Sequence, residues 1–270
     1  MAQSAAHFPV SPKISVLTIV QGRKPLLENL LQALRGQLMP PDEVVIAYMQ
    51  PDPFELPDKL PFEVRICFAE DGHMPVADAW KRAAETATGD VLIYLDPDCI
   101  PAPSLVMAYA LELQETDGCL IGDVLDLPGG AAEGADAAAL ERAGERPADR
   151  PAPPATGLSP EPDYDMFQGQ TVALRRATLT RCAGPGALAS GFGRQGADLA
   201  RKLEAAGVQL YHCAGARAYR QLRSGGRTRL NRLGGTAALG RDGERTGDRP
   251  RRPAAGEAGA ASVPKTRLYS

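Results

Sequence analysis

The stretch Thr88-Gly89-Asp90-Val91-Leu92-Ile93-Tyr94-Leu95-Asp96-Pro97-Asp98-Cys99-Ile100-Pro101 decides the fold. Its centre, Asp90 to Leu95, is a short, almost continuous apolar run, as required of a strand covered on both faces of a sheet. A helix is predicted just before it, over Val76 to Thr86, with Gly89 closing the approach. At the carboxyl end of the strand stand two carboxylates one residue apart, Asp96 and Asp98.

Upstream, Ile14 to Val20 is rich in β-branched residues and reads as a buried strand ended by the polar turn Gln21-Gly22-Arg23. Leu26, Leu27, Leu30, Leu31 and Leu34 recur at helical spacing, and that helix closes near Gly36, ahead of Pro40 and Pro41. Glu43 to Tyr48 and Glu63 to Phe68 are two further strands between Pro and Gly punctuation. Strands alternating with helices predict an α/β fold, a mostly parallel sheet flanked by helices whose ligands collect outside the carboxyl ends of the strands. The acidic pair lies at such an end.

Downstream, residues 128–163 change to Ala, Gly, Pro, Glu and Arg and read as a mobile low-complexity loop with little that could pack. Thr171 to Leu174 returns as a strand, Ala197 to Ala206 as a helix stopped by Gly207, and Val208 to Cys213 as a last strand. The predicted organisation is a flexible N-terminus over 1–12, one folded domain over 13–223 and a disordered tail over 224–270.

The 270 residues suffice for one large α/β domain that buries about 75% of its unfolded surface. A formal net charge of -3 supplies no general attraction to nucleic acid or anionic lipid, so any nucleotide contact has to be local. The five cysteines contain no C-x-x-C pair, which argues against a disulfide framework and a zinc site and fits a reducing cytoplasm. No run reaches about 18 apolar residues, so the chain reads as soluble, with peripheral membrane contact through a partner left open.

Two carboxylates separated by one residue at a strand end can share a divalent cation, and such an ion would screen a diphosphate. Acidic residues also occur in ordinary turns, and Pro97 is itself a turn residue. The surroundings add to the motif. The segment from Thr88 to Pro101 resembles the "TGD, apolar strand, D-x-D-x-x-P" segment of family 2 glycosyltransferases. Gln21-Gly22-Arg23 and Pro41-Asp42-Glu43-Val44-Val45-Ile46 resemble that family's first crossover unit, so the likeness covers roughly residues 13–110. A second block, Phe167 to Asp198, is similar to the acceptor half, where a strand ending in two arginines (Ala173-Leu174-Arg175-Arg176) precedes a Gly-x-Gly turn and an acidic helix start.

The resemblance implies a GT-A fold, a UDP-, GDP- or dTDP-sugar donor, a divalent metal (Mn or Mg), and inverting transfer to a hydroxyl of a saccharide, lipid or small-molecule acceptor. It makes Asp98 the direct metal ligand and Asp96 the contact to ribose or to a metal-bound water. Val20, Gln21, Arg23, Tyr48, Lys81, Arg220 and Asp71, in the loop Glu70-Asp71-Gly72-His73, would border the nucleotide. His73 and His212 are isolated histidines, more often structural than catalytic.

Four departures from the family pattern stand out. In Gly193-Arg194-Gln195-Gly196-Ala197-Asp198, Gln195 and Gly196 replace the acidic pair that holds the general base, and an amide is no base near neutral pH. Asp198 survives, either in the site or as a helix N-terminal charge. Arg220, in Ala218-Tyr219-Arg220-Gln221, takes the place of a histidine able to complete a metal shell; it cannot ligate a cation but could pair with a diphosphate or lie on the surface. Tyr48 stands in place of an aspartate, to stack on a base or to be buried, and Trp80-Lys81 replaces Arg-Asn. A catalytically impaired nucleotide-sugar-binding relative is therefore the alternative function. A nucleotidyltransferase fits less well, because Val20-Gln21-Gly22-Arg23 has one glycine where a phosphate loop needs several.

Overall fold

The computed structural model describes residues 11–69, 76–167, 169–183 and 197–222, and the backbone of 267–269. In chain order the elements are β1 (Ile14–Val20), α1 (Lys24–Arg35), β2 (Glu43–Tyr48), β3 (Glu63–Phe68), α2 (Val76–Thr86), β4 (Val91–Leu95), β5 (Cys99–Pro101), α3 (Leu105–Glu115), β6 (Cys119–Leu127), α4 (Ala137–Ala143), β7 (Leu158–Glu161), β8 (Thr171–Arg175), α5 (Arg176–Ala183), α6 (Ala197–Ala205), β9 (Leu210–Gln221) and β10 (Arg267–Tyr269).

The strands form one sheet in the order β10-β3-β2-β1-β4-β8-β6-β9-β5, and β7 adds to β9. β3, β2, β1 and β4 are parallel neighbours. The other half departs from the expected parallel sheet: β8 runs antiparallel to both β4 and β6, β9 is parallel to β6, and β5 and β7 are antiparallel to β9. The sheet is thus mixed. Helical crossovers through α1 and α2 return the chain to the same end and enforce parallel pairing, whereas β8 enters from the opposite end after a long excursion.

Alternation along β1 sorts the core into two layers. Ile14, Val16 and Val20 face a layer shared with α1 and α3, and Leu17 and Ile19 face a layer shared with α2 and α6. The helical spacing of Leu27, Leu30, Leu31 and Leu34 puts all four on the buried face of α1. No helix among the described residues is long and apolar enough to cross a membrane.

The amino ends of the parallel strands are tied by one carboxylate. Glu43, fully buried, accepts hydrogen bonds from Ser15 Oγ at 2.6 Å, Thr88 N at 2.5 Å and Thr88 Oγ1 at 2.9 Å, and pairs with Arg65 Nε at 2.8 Å. Gly89 makes this junction possible: a Cβ there would lie 2.4 Å from Ser15 Oγ and 2.8 Å from the Lys13 carbonyl. The Thr-Gly-Asp part of the decisive stretch therefore closes the sheet at the end remote from Asp96. The two arginines after β8 are structural as well. Arg175 donates to the carbonyls of Leu113 and Gln114 at 2.7 and 2.8 Å, and Arg176 to those of Gly89 and Ala84 at 2.7 and 3.1 Å, which satisfies the last turns of α3 and α2.

Two expectations change, and others lie mostly outside the described residues. Residues 128–163 were expected to be a loop with little to pack, yet they contain α4 and β7, and Leu140 is buried with Ile100, Leu125, Leu127 and Tyr219 in a third cluster. A few alanines and one leucine suffice there because a ready apolar face receives them. The last strand of the body, expected over Val208 to Cys213, runs to Gln221 because β6 and β5 pair with its second half. The expected disordered tail lies outside the described residues except at Arg267–Tyr269, which pairs antiparallel with β3 on its open edge. The expected flexible N-terminus lies outside them through residue 10.

Candidate functional site

The acidic pair owes its shape to a turn. After β4 ends at Leu95, Cys99 N donates to the Asp96 carbonyl at 2.9 Å, and Pro97 supplies the fixed φ that the second position of such a turn favours. Asp98 N lies 3.4 Å from Asp96 Oδ1, so the turn folds the first carboxylate back over the second residue. Gln170 anchors one side, its carbonyl accepting from Asp96 N at 2.9 Å, and Gln221 anchors the other, donating its N–H to the Asp98 carbonyl at 2.8 Å.

Burial first, and then the Asp98 carboxylate, push Asp96 up to about 7, while Arg23 acts in the opposite direction. Two carboxyl groups stand side by side and half-buried, and a bound cation would relieve both. Among the described residues no group of three or more His, Cys, Asp or Glu side chains gathers at one point. The chain thus offers a hard divalent cation two carboxylates, a donor set that fits Mn or Mg when ligand oxygens complete the shell.

The residues expected at this site divide into three sets. Val20 ends β1, and Gln21 to Arg23 follow as an exposed turn with Gly22 and Arg23 both at positive φ (61° and 62°). For Arg23 this is an uncommon backbone state, and its charge reaches Asp96. Arg220 also belongs here, opposite Cys99 in the β5–β9 register. Its guanidinium is held in a bidentate pair by Asp126, with Nε and Nη2 each 2.7 Å from a carboxylate oxygen, so it is a braced group and not a surface arginine.

A second set is engaged by other side chains. Tyr48 cannot stack on a base: it is fully buried, its ring 5.8 Å from Phe54 edge-on and 6.0 Å from Phe68. The core under α1 takes its ring because β2 is covered on both faces. Lys81 pairs along α2 with Glu85 at 3.8 Å. Asp198 lies in the first turn of α6 and pairs with Arg201, the helix-terminal arrangement. His212 pairs with Glu161 at 2.9 Å. The third set, Asp71, His73, Gln195 and Gly196, lies outside the described residues.

No family model matches the chain, and no curated relative matches it at a significant level. Solved structures do. GalNAc-T7 with UDP, GalNAc and Mn2+ superposes with a TM-score of 0.56 at 17% identity, over 83% of this chain and 46% of that one. S. aureus TarS residues 1–349 in complex with UDP-GlcNAc superposes with a TM-score of 0.53 at 14% identity, over 79% of this chain and 60% of that one. The fold is that of the GT-A glycosyltransferases. The chain spans less than two thirds of the length of either structure.

In this GT-A fold Asp96 stands at the seam of the sheet, between the parallel half ending in β4 and the mixed half beginning with β8. The seam is where strand direction changes, and ligand crevices open at such switch points. Sequence reasoning missed the groups on the far side of the seam. Asp126 fixes Arg220. Asp123 takes both Arg146 (Nη2 at 2.9 Å) and Arg217 (Nη2 at 2.8 Å). Burial pushes the Asp123 carboxyl up, and the bonds and charges of the two arginines outweigh it, so it lies below the usual carboxylate range. Arg150, from the segment between α4 and β7, donates to Gln170 Oε1 at 2.6 Å and to the Val124 carbonyl at 3.3 Å. No local periodicity marks these residues.

Proposed function

We propose that the protein is a metal-assisted glycosyltransferase of the family 2 type that moves a sugar, with inversion, from a nucleotide-diphosphate sugar to an acceptor hydroxyl. The observation that carries the reading is the Asp96-Pro97-Asp98 turn at the carboxyl end of β4, at the seam of a GT-A sheet. Asp98 and Asp96 would hold the divalent cation, which when bound supplies positive charge against a diphosphate leaving group. Arg23 brings positive charge to the same place, and Arg220 stands beside it already paired with Asp126, so that Arg23 is the cation free to face a diphosphate. In the transfer the acceptor oxygen bonds to the anomeric carbon from the face opposite the diphosphate, the carbon–diphosphate oxygen bond breaks, and the hydroxyl proton passes to a base.

The position of the base departs from the family pattern. Its family position falls on Gln195 and Gly196, neither of which accepts a proton at neutral pH, and Asp198 is engaged by Arg201. This motivates the second reading, a nucleotide-sugar-binding relative that turns over slowly or not at all. Titration with UDP- and GDP-sugars, with and without Mn2+, followed by an assay of nucleoside diphosphate release, separates them. The transferase reading expects metal-dependent binding together with release. Binding without hydrolysis or transfer to any acceptor tried favours the second reading, and no binding sinks both. Gln195→Glu restores a carboxylate at the base position and is expected to raise release by about 10- to 100-fold, the range of a positioned general base. No gain would mean that the acceptor geometry, and not only the base, differs.

A further inference from the structure

β1 and β2 run in parallel register with Val20 opposite Tyr48, and Met49 N donates to the Val20 carbonyl at 2.8 Å. Past that point one side chain bridges the two exits. Gly22 N donates to Gln50 Oε1 at 2.6 Å, and Gln50 Nε2 donates to the Asp52 carbonyl at 2.6 Å, so both ends of the amide are engaged. The bridge meets the chain where its backbone is unusual. Gly22 and Arg23 follow one another at φ 61° and 62°, a left-handed state that an arginine rarely adopts unless its surroundings impose it. Helix capping does not account for it. Arg23 precedes α1 without a side-chain cap, since a guanidinium has no acceptor to offer the first N–H groups of the helix.

The other neighbour of β1 is β4, also parallel, with Leu17 opposite Tyr94, so the turn that ends β1 stands beside the acidic turn that follows Leu95. The body of α1 is fixed to the same place. Asn29 Nδ2 donates to Gln221 Oε1 at 2.7 Å, and Gln221 N donates to the Asp98 carbonyl at 2.8 Å. With β1 held in the sheet and α1 held against the acidic turn, the freedom left to Arg23 is that of the Gly22–Arg23 turn, and Gln50 closes it. A brace for the exposed chain after β2 would explain the two bonds of Gln50 but has no need of a left-handed arginine. Aiming a cation at the neighbouring turn does need one backbone conformation held at Gly22 and Arg23.

We infer that Gln50 is a positioning residue: by holding the Gly22–Arg23 turn it sets Arg23 against the diphosphate of a ligand bound at Asp96-Pro97-Asp98. Gln50 itself touches no ligand and acts through Arg23 alone. The identity of the ligand as a nucleotide sugar rests on the transferase reading above, whereas recognition of a diphosphate by Arg23 can be tested apart from it.

The test is a double-mutant cycle read by calorimetric titration of the full chain, in Mn2+, with inorganic pyrophosphate and with UDP- and GDP-sugars. Arg23→Gln is expected to weaken binding by about tenfold or more, the loss of one hydrogen bond to a charged group. Gln50→Met keeps the length of the side chain and removes both bonds; it is expected to weaken binding about three- to tenfold in the parent and less than about twofold in the Arg23→Gln background. Gly22→Ala is a second route to the same turn. A Cβ there meets nothing within 4 Å, so the alanine acts through the left-handed φ and not through packing, and it is expected to reproduce Gln50→Met, coupling to Arg23 included. The thermal midpoint of ligand-free Gln50→Met is expected within about 2 °C of the parent, because both lost bonds are exposed. Unchanged affinity in Gln50→Met, or an equal loss with and without Arg23, overturns the proposal and leaves the transferase reading standing. Pyrophosphate bound through Arg23 and Gln50 by a chain that takes no nucleotide sugar keeps the positioning role and removes the transferase reading. Binding of neither removes both.

Discussion

Glu43→Ala is expected to destabilise the protein by about 3–5 kcal/mol, the range for removing one partner of a buried charged network. A domain of this kind is stable by about 5–15 kcal/mol in all, so the loss is large. The reason lies in what the alanine leaves behind: the Ser15 hydroxyl, the Thr88 N–H and hydroxyl, and the Arg65 guanidinium all point at one place. Burial pushes the Glu43 carboxyl up, but the bonds from Ser15 and Thr88 and the charge of Lys13 outweigh it, and its folded value is below the ordinary one. A depressed folded value means that the unfolded chain takes up this proton first. The stabilisation is therefore present above the unfolded value, about 4.3, and is lost as pH falls through the folded one. Denaturant unfolding at pH 7 and at pH 3 checks both statements, since the gap between parent and variant should narrow in acid. A midpoint at pH 7 unchanged by the substitution would remove Glu43 as the tie of the sheet. Because Glu43 and Asp96 sit at opposite ends of strands spanning about 20 Å, folded Glu43→Ala should still bind ligands at the acidic turn.

The contrast between this end of the sheet and the other explains what could be read in advance. β1, α1, β2, β3, α2 and β4 are each written in local periodicity, because every one has a single face or two full faces to bury. α3 and β6 were not anticipated. α3 buries Leu105, Val106, Tyr109, Ala110 and Leu113 but leaves Leu111 half exposed, so its apolar stripe is blurred. β6 carries Asp123 and Asp126 within its run and is irregular between Ile121 and Asp123, which breaks the period of two. Its charges make sense only after β9 pairs beside it and supplies Arg217 and Arg220, each 94 residues away.

The same division holds within the site. Asp96 and Asp98 are legible because one strand and one turn place them, and both are local. Arg220 had two readings from the sequence, and its pairing with Asp126 supports neither a free surface group nor an unencumbered diphosphate ligand. Tyr48 had two readings from the sequence, stacking on a base or burial, and it is buried because the face it occupies depends on α1, Phe54 and Phe68. Arg150 carried no signal at all, since a charged residue among prolines and alanines resembles any solvated loop until Gln170 and Val124 are brought against it.

Asp98→Ala is expected to weaken Mn2+-dependent nucleotide-sugar binding on the order of 100-fold or more, at least the loss caused by disturbing the surroundings of a metal ligand. The fold should not suffer with it. Outside the acidic pair itself, the Asp98 side chain accepts a long contact from Cys99 Sγ at 3.5 Å, and the bond that anchors the turn, from Gln221, goes to its backbone carbonyl. The sign of the stability change is the sharper test. Asp96 lies near 7 through burial and then through Asp98, so its ionisation costs stability as pH rises from its unfolded value, about 3.9, through about 7. Without Asp98 the like charge is gone and the cost falls, so the metal-free variant should match or exceed the parent in thermal midpoint at pH 8 and show no such gain at pH 3. With Mn2+ and nucleotide sugar present the order should reverse, because only the parent gains from the ligand. A residue kept for structure would lose stability in both conditions. Affinity within twofold of the parent, with no reversal of the midpoints, would take the Asp96-Pro97-Asp98 turn out of the function; loss of binding with a gain in metal-free stability would show carboxylates held together, at the expense of the empty fold, for the cation they receive.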